Sequence, residues 1–289
     1  MKNKILLIDG NLLLFKSFFA TYYNKNKLVT TNNIDTSATH TFIMSFLKVI
    51  EITNPSHCLI AFDTGKKTKR HEIYNEYKAG RAKVPIEIFE QKKIILEILD
   101  AMNILHTDMI GYEGDDIIAS VATKFSNEND IIIWSDDQDL LQLIDDNVSV
   151  IVKDYKTKKF FIKNINNFKD IHGFEHYQIP DYKAISGDLS DNLPGIKGIG
   201  PKGAKGLLSK FETLEDIYNN LNSLNETMKN KFIESKDISF MCKKLAKLEL
   251  FLDIDFKLEQ LKILSFANNE TEKILSNYEL NKIKEILKI

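Results

Sequence analysis

The amino-acid sequence predicts an α/β fold, with a mostly parallel central sheet flanked by helices and a helical region after it. Three observations predict this. Residues 5–8, 59–62, 131–134 and 148–152 are short β-rich apolar runs bounded by polar or turn residues, the pattern of buried strands. Residues 38–52, 86–102 and 115–125, lying between them, repeat apolar side chains at three- and four-residue intervals, as amphipathic helices do. After about Ile179 the strand pattern stops and helices dominate to residue 289. Strands alternating with helices imply parallel pairing wound on both sides. The expected division is residues 1–178 as the α/β domain and 179–289 as a helical region.

Taken in order, each strand of such a sheet should deliver functional residues just beyond its carboxyl end. Asp9 follows the first run, Asp63 the second, and Asp136, Asp137 and Asp139 the third. A single aspartate there reads equally well as a turn former or a helix N-cap; three in succession point to a site. Between the second run and the next helix, residues 64–84 are polar and basic with little apolar periodicity. They are expected to project from the sheet as a loop or helical arch.

Composition places the chain among globular proteins, with 43% hydrophobic and 28% charged residues. The leading apolar run is too short for a signal peptide, and no stretch approaches the roughly 18 apolar residues of a membrane span. A cytoplasmic protein is expected. Cys58 and Cys242 sit in apolar contexts and read as reduced thiols.

A net charge of −2 argues at first against a nucleic-acid partner, but its distribution reverses that reading. Between Gly65 and Lys83, seven cations (Lys66, Lys67, Lys69, Arg70, Lys78, Arg81, Lys83) face only Glu72 and Glu76, a local net charge of +5. Arg70 and Arg81 are the only arginines in the chain. Lys197, Lys202, Lys205 and Lys210 form a second basic segment with no acid in it.

The acids form a constellation. Glu113-Gly-Asp-Asp116 opens a helix with three carboxylates in one turn, more than a helix dipole needs. Asp137 and Asp139 add two on alternate positions, and Asp188 and Asp191 two more at a spacing that shares a helical face. With Asp9 and Asp63 these make nine. Nine carboxylates in one cleft would repel one another severely without cations. Oxygen ligands without a Cys or His cluster favour Mg²⁺ or Mn²⁺ over zinc. Two such ions stabilise both the attacking and the leaving oxygen of a phosphoryl displacement, so phosphodiester hydrolysis is the expected reaction. The six histidines show no metal-ligand spacing, and no serine-hydrolase elbow or P-loop is present.

A second constellation runs from Asn192 to Ala204. Six of the 12 glycines lie between Gly187 and Gly206, where the backbone must approach something closely or adopt positive φ. A hairpin through Gly195, Gly198 and Gly200, then a helix starting near Pro201, would offer amide N–H groups to phosphate, reinforced by Lys197, Lys202 and Lys205. An ordinary turn between helices is the alternative.

These motifs resemble the 5′ nuclease family: the N-terminal nuclease domain of bacterial DNA polymerase I and the phage and cellular flap endonucleases. The resemblance runs from about Ile5 to Phe211 and rests on Ile8-Asp-Gly-Asn11, Phe62-Asp63, Tyr77-Lys-Ala-Gly-Arg81, Glu113-Gly-Asp-Asp116, Asp137-Gln-Asp139 and Gly187-Asp-Leu-Ser-Asp-Asn-Leu-Pro-Gly195. It implies a PIN-like nuclease fold whose helical region, residues 179–289, binds DNA, with a helix-hairpin-helix at about residues 185–210 and residues 221–289 completing the DNA-binding side with helices. It implies that Asp9, Asp63, Glu113, Asp115 and Asp116 form one metal cluster, and that Asp137, Asp139, Asp188 and Asp191 complete a second. Lys78 and Arg81 would act on the scissile phosphate, with Arg70 and Tyr77 positioning the strand and Lys16 contacting phosphate. A K⁺ ion at the hairpin is implied as well.

The implied partner is DNA with a 5′ flap, nick or 5′ end, or an RNA–DNA hybrid, bound by a monomer, with no membrane. Two residues depart from the pattern. Lys16 stands where many relatives carry Arg, and Asp136 where a small residue is usual. The chain leaves no room for a polymerase domain, so a free-standing 5′-3′ exonuclease and flap endonuclease acting in primer removal and repair is expected. A non-catalytic structure-specific DNA-binding protein and a small-metabolite phosphatase are the rival readings.

Overall fold

A computed structural model of the chain describes residues 2–154, 157 and 159–289. Strand β1 (Asn3–Asp9) leads into α1 (Gly10–Tyr22) and α2 (Ser37–Thr53), then β2 (His57–Ala61). A short helix α3 (Lys69–Ile73) and the long α4 (Glu87–Ala101) precede β3 (Leu105–Thr107). Helix α5 (Gly114–Phe125) and β4 (Asn129–Trp134) follow, with a 3₁₀ turn at Asp139–Leu143 before β5 (Val148–Lys153) and β6 (Phe160–Lys163).

These strands form one six-stranded sheet in the order β3-β2-β1-β4-β5-β6. Its pairs are parallel except β5 with β6, which is antiparallel. The order reverses at β1, which lies between β2 and β4, and crevices of this kind receive ligands. The four expected strands and three expected helices are present to within about two residues; β3 and β6 are additional.

Alternation along the strands separates two cores. Leu6, Ile8, Cys58, Ile60, Ile132 and Trp134 face α1, α2 and α4 on one side. Ile5, Leu7, Leu59, Ile131, Ile133 and Val150 face α5 and the later helices on the other. Cys58 and Cys242 are buried and free, as expected.

Beyond the sheet, α6 (Phe168–His172), α7 (Ile179–Ser186), α8 (Pro201–Leu208), α9 (Leu214–Asn219), α10 (Glu226–Glu234) and α11 (Lys236–Ala246) build a helical layer. The last two helices, α12 (Asn269–Asn277) and α13 (Asn281–Leu287), do not join it. Leu275, Leu280 and Ile283 are buried in the core formed with α2 and α4. Thr271 and Asn268 donate to the carbonyl of Ala101, and Tyr278 donates to Glu97. The expectation that residues 221–289 complete the DNA-binding side is therefore corrected for their final third: amphipathic helices show which face they bury, but not against which layer.

Among the described residues, no helix is long and apolar enough to cross a membrane.

Candidate active site

Parallel pairing brings Asp9, Asp63 and the loop after Trp134 to one edge of the sheet. Asp9 pairs in register with Ala61, and Ile8 with Trp134. Asp9 caps α1, accepting from the Leu12 N–H at 2.9 Å, and its other oxygen accepts from the Ser135 hydroxyl at 3.0 Å. Position 10 is restricted to glycine by crowding: a Cβ there would stand 2.6 Å from the Phe62 ring and 2.8 Å from the Ala61 carbonyl. Asp63 accepts from the Gly114 N–H at 2.7 Å, tying the start of α5 to the end of β2. Ser135 also accepts from the Asp137 N–H, and Asp137 in turn from the Asp139 N–H, which folds the 135–139 loop inward.

The result is a crowded acidic cleft. Burial, with Asp137 and Asp63 adding to it, raises the Asp9 carboxyl to about 7 against the hydrogen bonds it accepts. Asp115 is raised well above the usual carboxylate range by burial and by Asp137, Asp9 and Asp63. Burial, together with Asp137 and Asp191, raises Asp139 to about 7 although Lys183 opposes it.

Two lysines divide the acids. Lys183 of α7, only 5% exposed, contacts Asp139, lies 2.5 Å from Asp188 and 3.8 Å from Asp191. Burial disfavours its charge, yet Asp139, Asp188 and Asp191 hold it above the ordinary lysine value. Lys78 donates to Glu113 at 2.7 Å and sits 3.8 Å from Asp191, again raised against burial by those two acids. Arg81 adds a contact to Asp191 at 3.1 Å. Among the described residues, no ion pair involves Asp9, Asp63, Asp115 or Asp137.

Sequence reasoning missed Lys183. It lies four residues after Ile179 on the buried face of α7, and a lysine on an apolar helical face was the available signal.

Residues 64–84 do not project. Lys78 takes φ 59° in a tight run of turns, and its N–H donates to the Asp191 carbonyl. Asn192 donates to the Glu76 carbonyl, so the segment is tied to the hairpin that follows α7.

Arg70 is 8% exposed and grips both oxygens of Asp116 at 2.6 and 2.7 Å while donating to the carbonyls of Leu245 and Lys247. Asp116, 0% exposed, also accepts from the N–H groups of Glu113 and Glu249. With both oxygens engaged twice, Asp116 is a poor metal ligand, and Arg70 cannot reach a DNA strand from this position. Tyr77 is likewise buried, donating to Glu113 at 3.2 Å. These three assignments are corrected. The charge pattern was visible in the sequence; that α11 would cover it was not.

The glycine-rich segment forms the expected hairpin between α7 and α8. Gly187, Gly195 and Gly198 have φ of 75°, 63° and 76°, and a Cβ at Gly187 would meet the Leu193 carbonyl at 2.7 Å. An isolated bridge joins Asp188 to Leu193. Gly200 caps α8 and Pro201 is its first residue. Lys197 and Lys202 are exposed, and Lys205 lies over the Phe174 ring at 5.9 Å. Lys231 donates to the Gly198 carbonyl at 2.8 Å. Lys16 of α1 contacts Asp136, so the two departures from the family pattern are partners.

Two family models match the chain in succession: the 5′-3′ exonuclease N-terminal resolvase-like domain over residues 4–178, and the 5′-3′ exonuclease C-terminal SAM fold over residues 174–270. The chain belongs to the 5′-3′ exonuclease family. It is 39% identical to a 5′-3′ exonuclease of Mycoplasmopsis pulmonis, over 99% of this chain and 93% of that one. It is 38% identical to DNA polymerase I of Caldicellulosiruptor bescii over 97% of its own length, which is 33% of the polymerase. The chain thus spans about a third of polymerase I and nearly all of the Mycoplasmopsis exonuclease. Among solved structures it resembles the T5 5′-exonuclease with bound divalent metal ions (zinc), with a TM-score of 0.70 at 20% identity over 96% of this chain and 98% of that one. The fold and the nuclease class expected from the sequence are those of this exonuclease family.

Proposed function

We propose that this exonuclease hydrolyses DNA phosphodiester bonds at or near 5′ ends, acting both as a 5′-3′ exonuclease and on 5′ flaps. The single observation carrying this is that carboxylates from five separate segments meet at one sheet edge, with Lys78, Arg81 and Lys183 among them.

Among the described residues, no three or more His, Cys, Asp or Glu side chains already surround one metal-sized point. The donor set nonetheless fits hard cations: Asp9, Asp63, Asp115 and Asp137 offer oxygens that form no ion pair among the described residues, and burial, with their mutual repulsion adding to it, raises Asp9 and Asp115. These four would hold Mg²⁺ or Mn²⁺, with Glu113, Asp139, Asp188 and Asp191 serving a second ion in competition with Lys78 and Lys183. When bound, such ions polarise the phosphodiester and activate water.

The chain's own residues do the rest. Lys78 and Arg81 close over the cleft and balance the charge that develops on a phosphate. Arg70 and Tyr77 hold that segment in place through Asp116 and Glu113. The hairpin amides with Lys197, Lys202 and Lys205 grip duplex backbone without reading bases. A K⁺ ion there would share the hairpin with the Lys231 ammonium, which already takes the Gly198 carbonyl. All eight of these carboxylates come from one chain, so a monomer suffices. RNA-primer removal and DNA repair are the roles this chemistry suits.

The test follows products in time from a 5′-labelled flap, a nicked duplex and an RNA-primed duplex in Mg²⁺. Short 5′-terminal fragments are expected. Binding of all three without cleavage across Mg²⁺ and Mn²⁺ titrations would show a non-catalytic DNA-binding protein instead.

A further inference from the structure

Leu189 is the most exposed large apolar side chain among the described residues, at 99%, and it stands between two acids of the site, Asp188 and Asp191. Single exposed leucines are common on protein surfaces, so its place in the site has to carry the argument. The loop around it is pinned. Asp188 accepts from the Ser190 N–H at 2.7 Å and from the Ser190 hydroxyl at 2.6 Å, while Arg81 donates to the Ser190 carbonyl at 3.4 Å. The Asn192 N–H donates to the Leu189 carbonyl at 3.4 Å, and a backbone bridge between Asp188 and Leu193 closes the turn. The backbone is thus fixed with the leucine side chain held out in solvent.

Leu189 lines a pocket of about 410 Å³, within the size range of small-molecule sites. Leu12, Tyr182 and Pro201 line it too, as do Asp137 and Asp188. Pro201 opens α8 directly after the glycine hairpin, so the pocket lies between the carboxylates and the hairpin. The phosphate-directed lysines and arginine described above leave its apolar walls without a role.

We infer that this pocket is a base subsite, in which Leu189 packs against the nucleobase of the nucleotide immediately 3′ of the scissile phosphate. The inference rests on the nuclease reading. With the duplex on the hairpin and the scissile phosphate among the carboxylates, that nucleotide is the one that bridges them. Its phosphate is met by charge, and its base offers the flat apolar face that all four bases share. Leucine is one of the apolar side chains that proteins set against base faces. Having no donor or acceptor, it leaves base edges unread and suits a nuclease without sequence preference.

The experiment follows single-turnover cleavage of a 5′-labelled flap in Mg²⁺ and reads the half-saturating enzyme concentration across a salt titration. Leu189→Ala should raise that concentration about tenfold, the loss of one well-covered leucine side chain. The log–log salt slope should stay at its wild-type value, because no phosphate contact is removed. Leu189→Met should restore most of the loss. In wild type, an abasic nucleotide immediately 3′ of the mapped cleavage site should cost about as much as Leu189→Ala, and the two changes together little more than either alone, because they remove the same contact.

Multiplied losses, about a hundredfold together, would mean that leucine and base do not meet, and they overturn the inference. So does Leu189→Met as defective as Leu189→Ala, which would give the residue a role in loop geometry alone. Wild-type indifference to the abasic nucleotide also overturns it, and that readout holds even if Leu189→Ala folds poorly. A wild-type chain that cleaves no flap sinks the nuclease reading and this inference together. Normal wild-type cleavage with any of the other contrary results removes only the base subsite.

Discussion

Asp115 and Asp116 are neighbours in the first turn of α5, yet only Asp115 faces the other acids of the cleft. Asp116 turns the other way and neutralises Arg70 inside the protein. Removing one member of a buried pair leaves the other charge without compensation, at a cost of about 3–5 kcal/mol. Asp116→Ala should therefore lower the melting temperature sharply in chelator, whereas Asp137→Ala should leave it unchanged or raise it by relieving repulsion. Thermal melts of the two variants check this, and a stable Asp116→Ala beside a collapsed Asp137→Ala would reverse the roles.

Burial of the carboxylates, with the same crowding, gives a pH dependence. Asp9 and Asp139 titrate at about 7 in the folded protein, above the ordinary value of 3.8. Between these values the folded state holds more protons than the unfolded chain, so metal-free stability should fall as pH rises from about 4 through 7 and then level off. Saturating Mg²⁺, which binds the ionised folded cleft, should flatten that fall. Melting curves that rise across this window in chelator would contradict it.

At the scale of elements, the long and strongly patterned pieces were legible in the sequence. The four apolar strands and the helices between them declared themselves because their side chains are buried on a fixed period. Strand β3 did not, being three residues long and half-buried, and β6 sits at an edge where Phe161 and Ile162 remain exposed. The basic segment misled for a different reason. The segment read as projecting, while Arg70 is buried and Lys78 half-buried against acids that come from distant parts of the chain. Helices α12 and α13 show the same limit, since their amphipathic faces fit either layer. Their docking on α2 and α4 predicts that Leu275→Ala destabilises the α/β layer by about 2–5 kcal/mol. A chemical denaturation midpoint equal to wild type would show that these helices contribute little.

At the scale of the whole molecule, the candidate site was legible as a set and not as a division of labour. Order and spacing along the chain named nine acids, and the parallel sheet explains why those following β1, β2 and β4 meet. Only the folded arrangement separates Asp9, Asp63, Asp115 and Asp137, which form no ion pair among the described residues, from the acids held by Lys78 and Lys183 and from the internally paired Asp116. The central claim is that the first four hold the divalent ions on which cleavage depends. Cleavage rates of a 5′-labelled flap across a Mg²⁺ titration, in wild type and in Asp137→Ala matched for DNA binding, test it most directly. Saturable Mg²⁺ dependence in wild type and a loss of at least about a hundredfold in the variant are predicted, as for removal of a principal charge-stabilising group. Cleavage by Asp137→Ala at the wild-type rate with the wild-type Mg²⁺ requirement would contradict the account.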